Sequence, residues 1–393
     1  MNGSRLTFVD SLRGVAATAV VATHVLYGSP LEKPLTSAVP SQLRWVMNRG
    51  GTGVQAFFVL SGFVIVLSVA RLVPTVREAR LFALRRQLRL DPPYWAMMAI
   101  VLVLGVAERA MGFVTDSFPS AVDIVANAFY VQRLFGRPEV VGVAWTLCIE
   151  IQFYLFVLIL LFVARGVARR ARHEGGAISS PLLVPLLLAT AAASLAVASL
   201  CGRPWSGRLG ILFFEYWHYF VLGALACLAW LRRCSWKLGG ALGVLAVAVA
   251  LVVPAQLAPA DAIVGLCTFV VLQTSIRLPT FGARLGSVRL LQYLGSRSYS
   301  IYLVHLSVLR LVMRSGYKVT DDSPAAALAW MTLALMVSLL AAELLHRLVE
   351  RPALRFSSVV KDRGLPAALA GAHHRLRSGR SAGRRPPAPS PIP

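Results

Sequence analysis

Residues 8–27 read FVDSLRGVAATAVVATHVLY, an apolar run that carries three ionisable side chains, Asp10, Arg13 and His24. Each would cost about 2.5–3.5 kcal/mol in hydrocarbon even on a lenient insertion scale, so such residues turn toward protein and are kept for chemistry. Arg13 and His24 are eleven residues apart. At about 100° and about 1.5 Å per residue they fall within about 20° of one helical face, about 16 Å apart. One polar stripe of this helix is therefore predicted to face the interior of a bundle.

Composition agrees with a membrane setting. The 393 residues are 57% hydrophobic and 15% charged, against about 25% charged in soluble domains. Ten apolar runs can be drawn, at about 8–28, 51–70, 92–107, 145–164, 181–201, 209–231, 236–254, 260–276, 298–316 and 325–347. Several are near the roughly 17–25 residues that a spanning helix needs, and the third and eighth are short. The expected fold is all-α, a polytopic helix bundle of about ten transmembrane helices.

The formal charge of +23 invites a nucleic-acid reading, and the placement of the basic residues decides against it. With the N-terminus inside, 29 of the 40 Lys and Arg fall in the N-terminal segment, the inner connections and the tail. That is the positive-inside asymmetry, and it predicts cytoplasmic termini and a multi-pass protein of the cell membrane. The first run is too long and too polar for a cleavable signal and is expected to stay as a helix. Residues 357–393, rich in Arg, Pro, Ala, Gly and Ser, are expected to form a disordered basic tail behind a membrane domain of residues 1–356. The five cysteines lack paired metal-type spacing, and no metal site is expected.

Further chemistry-bearing stretches follow in order. Residues 57–63, FFVLSGF, place Ser61-Gly62 in mid-helix, where small residues let another helix or a ligand approach. In LFALRRQLRLDPPYW, residues 81–95, Arg85, Arg86 and Arg89 would form a cationic patch just before Pro92-Pro93 restarts the chain as the third helix. Guanidinium forks match phosphate oxygens, although such patches also anchor to anionic lipid. Residues 108–144 form the longest outer connection, with Asn127–Leu134 as a candidate helix able to cap a site. WTLCIEIQFY, residues 145–154, carries Glu150 about five residues in from Trp145, a depth at which a carboxylate needs a partner or a proton. Glu215 and His218 are at i and i+3, spaced to pair or to line a site. In YLGSRSYSIYLVHLSVL, residues 293–309, Tyr299, Tyr302 and His305 share one face. Glu350-Arg351-Pro352 follows the last run.

Taken together these stretches resemble, in order, the motifs of the membrane acyltransferase-3 family. RGVAATAVVATH is similar to its opening Arg-Gly and His motif; FFVLSGF and RRxxRxxPxY are similar to its second and third. WTLCIEIQFY resembles W-S-L-x-x-E-x-Q-F-Y, with Thr146 for Ser and Ile151 for a frequent second acid. The run at 295–305 resembles G-x-x-S-Y-S-x-Y-L-x-H, and Glu350-Arg351-Pro352 the closing E-x-P. Asp91 departs from the family, standing where relatives commonly carry an aromatic residue.

The resemblance implies transfer of an acyl group from acyl-CoA, as co-substrate rather than bound cofactor, to a hydroxyl of a sugar, glycan or macrolide-like natural product. It implies His24 as general base, with a covalent acyl-His left open. Glu150 would orient His24 or help hold the acceptor. Arg13, Arg85, Arg86 and Arg89 would hold the CoA phosphates. Ser61, Trp145, Tyr154, Tyr299, Tyr302 and His305 would line the site or donate to the oxyanion. Topology places His24, Glu150 and Glu215 in the outer half of the membrane and the arginines at the cytoplasmic side. A proton-coupled transporter is the rival reading, since intramembrane Glu, His and Arg also serve carriers.

Overall fold

The computed structural model describes residues 6–27, 31–70, 75–110, 112, 118–170, 180–201, 213–254, 257–320 and 323–363. Among these residues all regular structure is helical. The chain runs α1 (Thr7–Leu26), α2 (Glu32–Ala38), α3 (Ser41–Asn48), α4 (Gly53–Val69), α5 (Val76–Ala110), α6 (Ala121–Ala128), α7 (Trp145–Arg170) and α8 (Leu183–Cys201). It continues through α9 (Trp217–Trp230), α10 (Trp236–Val252), α11 (Pro259–Arg277), α12 (Pro279–Ser287), α13 (Arg289–Ser296), α14 (Ser298–Val319), α15 (Pro324–Leu345) and α16 (Arg351–Arg363).

Every expected apolar run holds a described helix. Among the described residues six helical stretches are long and apolar enough to cross a membrane: Thr7–Leu26, Ser41–Val69, Val76–Ala110, Trp145–Val167, Pro259–Arg277 and Pro324–Val360. Leu183–Ser199, Trp217–Trp230 and Trp236–Val252 are apolar but shorter. Helix α14 has 22 residues yet carries Arg310, Arg314 and Lys318. The most apolar windows of Val76–Ala110 and Pro324–Val360 are only 28% and 22% buried. Side chains such as Val103, Val106, Leu340 and Met336 thus point outward, and so much exposed apolar surface suits lipid rather than water.

Two helix crossings are set by glycine. A Cβ on Gly62 would stand 2.0 Å from Phe220 O, and one on Gly223 1.8 Å from Val59 O, so α4 and α9 cross backbone to backbone. A Cβ on Gly295 would stand 1.8 Å from Asp10 O and one on Gly14 2.7 Å from Leu291 O, which seats the start of α1 on α13. The Gly that follows Arg13 is thereby accounted for by packing.

Three expectations need correction. Pro92-Pro93 does not restart the chain: α5 runs through both as one 35-residue helix. The missing proline N–H groups leave Leu88 O and Arg89 O without their i+4 donors, a gap that a packed bundle tolerates; at the next carbonyl the Tyr299 hydroxyl donates to Leu90 O at 2.8 Å. The helix in the 108–144 connection is Ala121–Ala128 rather than Asn127–Leu134. It starts at Ser120 because that hydroxyl and Asp123 form a reciprocal capping box. It ends where the buried Asn127 side chain donates to Pro138 O and accepts from Val140 N, folding the chain back on itself. Finally, residues 357–363 of the expected tail belong to α16, whose Ser357 donates to Arg85 O at 2.8 Å. Residues 364–393 lie outside the described residues.

Candidate active site

Helices α1 and α14 run parallel and touch at two levels. Near their starts Arg13 Nε donates to Ser298 Oγ at 3.2 Å. Farther along, His305 Nε2 lies 3.1 Å from His24 Nδ1, with ring centroids 5.1 Å apart. Asp10 and Arg13 sit at one end of α1 and His24 near the other, so the predicted polar stripe exists and meets a second helix. His305 is 1% exposed, whereas His24 is only partly covered.

Between the two levels lies a cavity of about 60 Å³ lined by Arg13, Ser61, Thr146, Glu150, Tyr299 and Tyr302, with Val54, Phe57 and Phe58 on its apolar side. Glu150 is its hub. Its Oε1 accepts from Ser61 Oγ at 3.2 Å and from Arg86 Nη2 at 3.1 Å, and it also takes the Tyr154 hydroxyl. The Arg86 guanidinium donates to Tyr154 at 2.8 Å and stacks 4.4 Å over its ring. Tyr302 donates to Val143 O at 3.1 Å and pairs with Thr146, so Thr146 keeps a hydroxyl where the family has Ser. Tyr299 and Tyr302 therefore line the cavity with their hydroxyl hydrogens already directed at backbone carbonyls.

This geometry revises the depth assignment. Glu150 shares a level with Arg86, Ser61 and Arg13, not with His24; it is four residues deeper than Thr146 on α7, while His305 is three residues the other way from Tyr302 on α14. At about 1.5 Å per residue the two levels are about 10 Å apart. The side chain found beside His24 is His305.

A larger cavity, about 410 Å³, opens at the end where α1 begins. Arg13 and Ser298 line both cavities, and the larger one adds Asp10, Arg89 and Glu350. Of the expected phosphate-binding arginines it thus receives Arg13 and Arg89. Arg86 is held by Glu150, and Arg85 Nε donates to Leu81 O within its own helix. In the sequence Glu350 stands out only as part of the closing motif. It is 3% exposed, accepts from Ser300 at 2.6 Å and lies 2.9 Å from His346 Nδ1. It sits in a π-helical turn, His346–Glu350, a distortion often found at functional sites.

At the opposite end a third cavity, about 230 Å³, is lined by Glu108, Phe118, Glu139, Gly142, Arg310 and Arg314, and by Leu306 and Ser307, which follow His305. Arg314 pairs with Glu108 at 3.5 Å. Glu139, in the connection before α7, accepts from Gln132 at 2.7 Å, and burial raises its carboxyl above the ordinary carboxylate range.

The remaining sequence candidates fall elsewhere. Trp145 packs against Tyr216, centroids 5.8 Å apart, and is not among the residues lining the central cavity. Glu215 and His218 do not share a helix: Glu215 ends a 3-10 turn before α9, and His218 Nδ1 lies 3.1 Å from Ser194 Oγ. Asp91 accepts from the Tyr130 hydroxyl at 3.0 Å, so the outer connection engages it. Among the described residues no cluster of three His, Cys, Asp or Glu is placed to hold a metal.

A model of the acyltransferase-3 family, described as an acyltransferase domain, matches residues 6–347. The chain is 28% identical over 380 residues to the acyltransferase MdmB of Streptomyces mycarofaciens, covering 89% of this chain and 92% of that protein. It is 27% identical over 329 residues to the exopolysaccharide production protein ExoZ of Rhizobium meliloti, covering 82% and 94%. Over 171 residues it is 28% identical to the peptidoglycan O-acetyltransferase OatA of Listeria monocytogenes, covering 39% and 24%. No solved structure matches the chain. The family match over nearly the whole chain, which spans the motifs that meet around Arg13, Glu150 and His305, makes this protein a member of the acyltransferase-3 family and an enzyme that transfers acyl groups.

Proposed function

We propose that the protein moves an acyl group from acyl-CoA to a hydroxyl of a carbohydrate or natural product, with His24 as general base. The observation that carries this is the position of Arg13. It lines both the wide cavity that holds Arg89 and the central cavity, and His24 stands about 16 Å farther along the same helix. A donor with a polyanionic head and a thin thioester arm fits that layout. The phosphates would sit on Arg13 and Arg89, since guanidinium forks match phosphate oxygens. The arm would pass the Arg13–Ser298 level toward His24, crossing roughly half of the ~30 Å hydrocarbon core.

The acceptor reaches His24 from the third cavity, whose carboxylates and guanidiniums offer acceptors and donors to a polyol. OatA is named for acetylation of a glycan and ExoZ for exopolysaccharide production, which supports a carbohydrate acceptor. A hydroxyl is a poor nucleophile near neutral pH, and an imidazole can take its proton as the thioester carbonyl is attacked.

On this reading the bundle crosses the cell membrane about ten times with both termini in the cytoplasm; Leu6 and Leu354 line one cavity, which supports an even number of crossings between them. The direct test sets purified protein in sealed vesicles with acetyl-CoA and follows release of the CoA thiol against transmembrane flux. Thiol release coupled to O-acetyl ester formation is expected; flux without thioester consumption would overturn the assignment in favour of a transporter.

A further inference from the structure

The hydrogen-bonding of the two histidines fixes where each proton sits. His305 Nδ1 lies 2.8 Å from Tyr302 O and 3.1 Å from Ile301 O. Carbonyl oxygens only accept, so Nδ1 of His305 carries the hydrogen and, in the neutral ring, Nε2 offers a lone pair. That Nε2 faces His24 Nδ1 at 3.1 Å. The second neighbour of His24 Nδ1 is Val20 O, also at 3.1 Å and again an acceptor only. His24 Nδ1 therefore bears the hydrogen, shared between Val20 O and His305 Nε2, and the lone pair of neutral His24 is at Nε2.

We propose that His305 is a positioning residue that holds His24 as the Nδ1–H tautomer and so dedicates His24 Nε2 to proton abstraction. The inference rests on the general-base reading above. His24 occupies the place of the base in a triad, and His305, anchored by two backbone carbonyls, does what a carboxylate does in the serine hydrolases. As the acceptor oxygen forms its bond to the thioester carbonyl carbon, its proton moves to His24 Nε2. The imidazolium that results keeps its Nδ1–H on the His305 lone pair. When the C–S bond breaks, His24 Nε2 returns the proton to the departing thiolate, giving ester and free CoA thiol. Glu150 does not take this place: it stands at the Arg13 level, where its Oε1 receives Ser61, Arg86 and Tyr154. The charge that acts on His24 from outside the pair is Arg310, five residues beyond His305 on α14.

The first test reads the tautomer without turnover. Full-length chain labelled with ¹⁵N-histidine is placed in lipid nanodiscs, and the His24 signals are assigned by their loss in His24→Gln. At a pH where the ring is neutral, a protonated Nδ1 and a bare Nε2 are expected; a bare Nδ1 in the unmodified chain overturns the proposal, whatever the activity. The second test uses acetyl-CoA with water as the accepting hydroxyl and follows the CoA thiol. His305→Gln carries an amide oxygen far enough to accept from His24, whereas His305→Asn reaches only the carbonyls behind it. His305→Asn should lower kcat by about 10- to 100-fold, within the 10²–10⁴ that a base supplies, with KM for acetyl-CoA within a few-fold, and His305→Gln should recover part of that loss. Equal activity of the Asn and Gln variants in folded protein overturns the positioning role. Full activity in His24→Gln would instead overturn the general-base reading on which it rests.

Discussion

Arg86 Nη2 lies 3.1 Å from Glu150 Oε1, the two side chains 12% and 20% exposed, inside a bundle where either charge alone would be costly. Replacing one partner of a buried pair leaves the other uncompensated and typically costs 3–5 kcal/mol. Glu150→Ala should therefore lower stability by about 3–5 kcal/mol, read as earlier thermal unfolding in detergent. Adding Arg86→Met to Glu150→Ala should recover part of that loss. A Glu150→Ala chain as stable as the unmodified one would show that the pair is not formed.

Donor binding distinguishes the basic residues that sequence alone groups together. Arg89 lines the wide cavity, while Arg85 is turned back onto its own helix and covered by α16. Arg89→Ala should weaken acetyl-CoA binding more than Arg85→Ala does, and Arg89→Lys should restore it only partly, since a point charge does not reproduce the guanidinium fork. Isothermal titration or competition binding in nanodiscs reads this; equal losses at the two positions would place the phosphates elsewhere.

The glycines give a matched pair for stability. Gly62→Ala puts a methyl group 2.0 Å from Phe220 O, a contact that only separation of α4 from α9 can relieve. Gly240, inside α10, has nothing within 4 Å of its would-be Cβ. Gly62→Ala should therefore sharply reduce the yield of folded protein, whereas Gly240→Ala should stabilise it by up to about 1 kcal/mol through helix propensity. The midpoints of thermal unfolding compare the two, and a neutral Gly62→Ala would contradict the crossing.

Which parts of this were legible in the sequence follows from what periodicity encodes. The apolar runs and the polar stripe of α1 depend on local spacing, so every run reappears as a helix and Arg13 and His24 share a face toward α14. Of the residues that line the central cavity, Arg13, Ser61, Thr146, Glu150, Tyr299 and Tyr302 lie in the ordered motifs, whereas Trp145, Tyr154 and His305, expected to line it, are not among its lining residues. Partnership was not legible. Counting five residues in from Trp145 puts Glu150 level with His24, but such a count carries no information about neighbours; Arg86, on the helix that runs unbroken through Pro92-Pro93, reaches Glu150 and marks the level at which it stands. His305 was visible as a polar residue on an apolar helix, but its distance to His24 spans 281 positions and depends on helix packing alone.

Topology can be checked separately from chemistry. In a cysteine-free background, Pro138→Cys in the connection before α7 should react with a membrane-impermeant maleimide in intact cells, and Arg170→Cys at the far end of α7 should react only after permeabilisation. The positive-inside asymmetry predicts this orientation. Labelling of both from the same side would remove one crossing between them and reverse the end from which the donor is expected.

His24 separates catalysis from packing. The arginines proposed for the donor phosphates stand about 16 Å away along α1, so His24→Gln should leave acetyl-CoA affinity within a few-fold while thioester turnover falls by about 10²–10⁴. Glutamine keeps polarity and approximate size, and its amide nitrogen can still reach Val20 O, the i−4 carbonyl that His24 contacts at 3.1 Å. What it lacks is a nitrogen that accepts a proton near neutral pH. A packing role would instead lower stability and activity together. Turnover and thermal unfolding measured on the same preparation distinguish these outcomes. An acyl-enzyme trapped on the unmodified chain but absent from His24→Gln would assign His24 as nucleophile rather than base. Full turnover in a well-folded His24→Gln chain would remove His24 from the chemistry altogether.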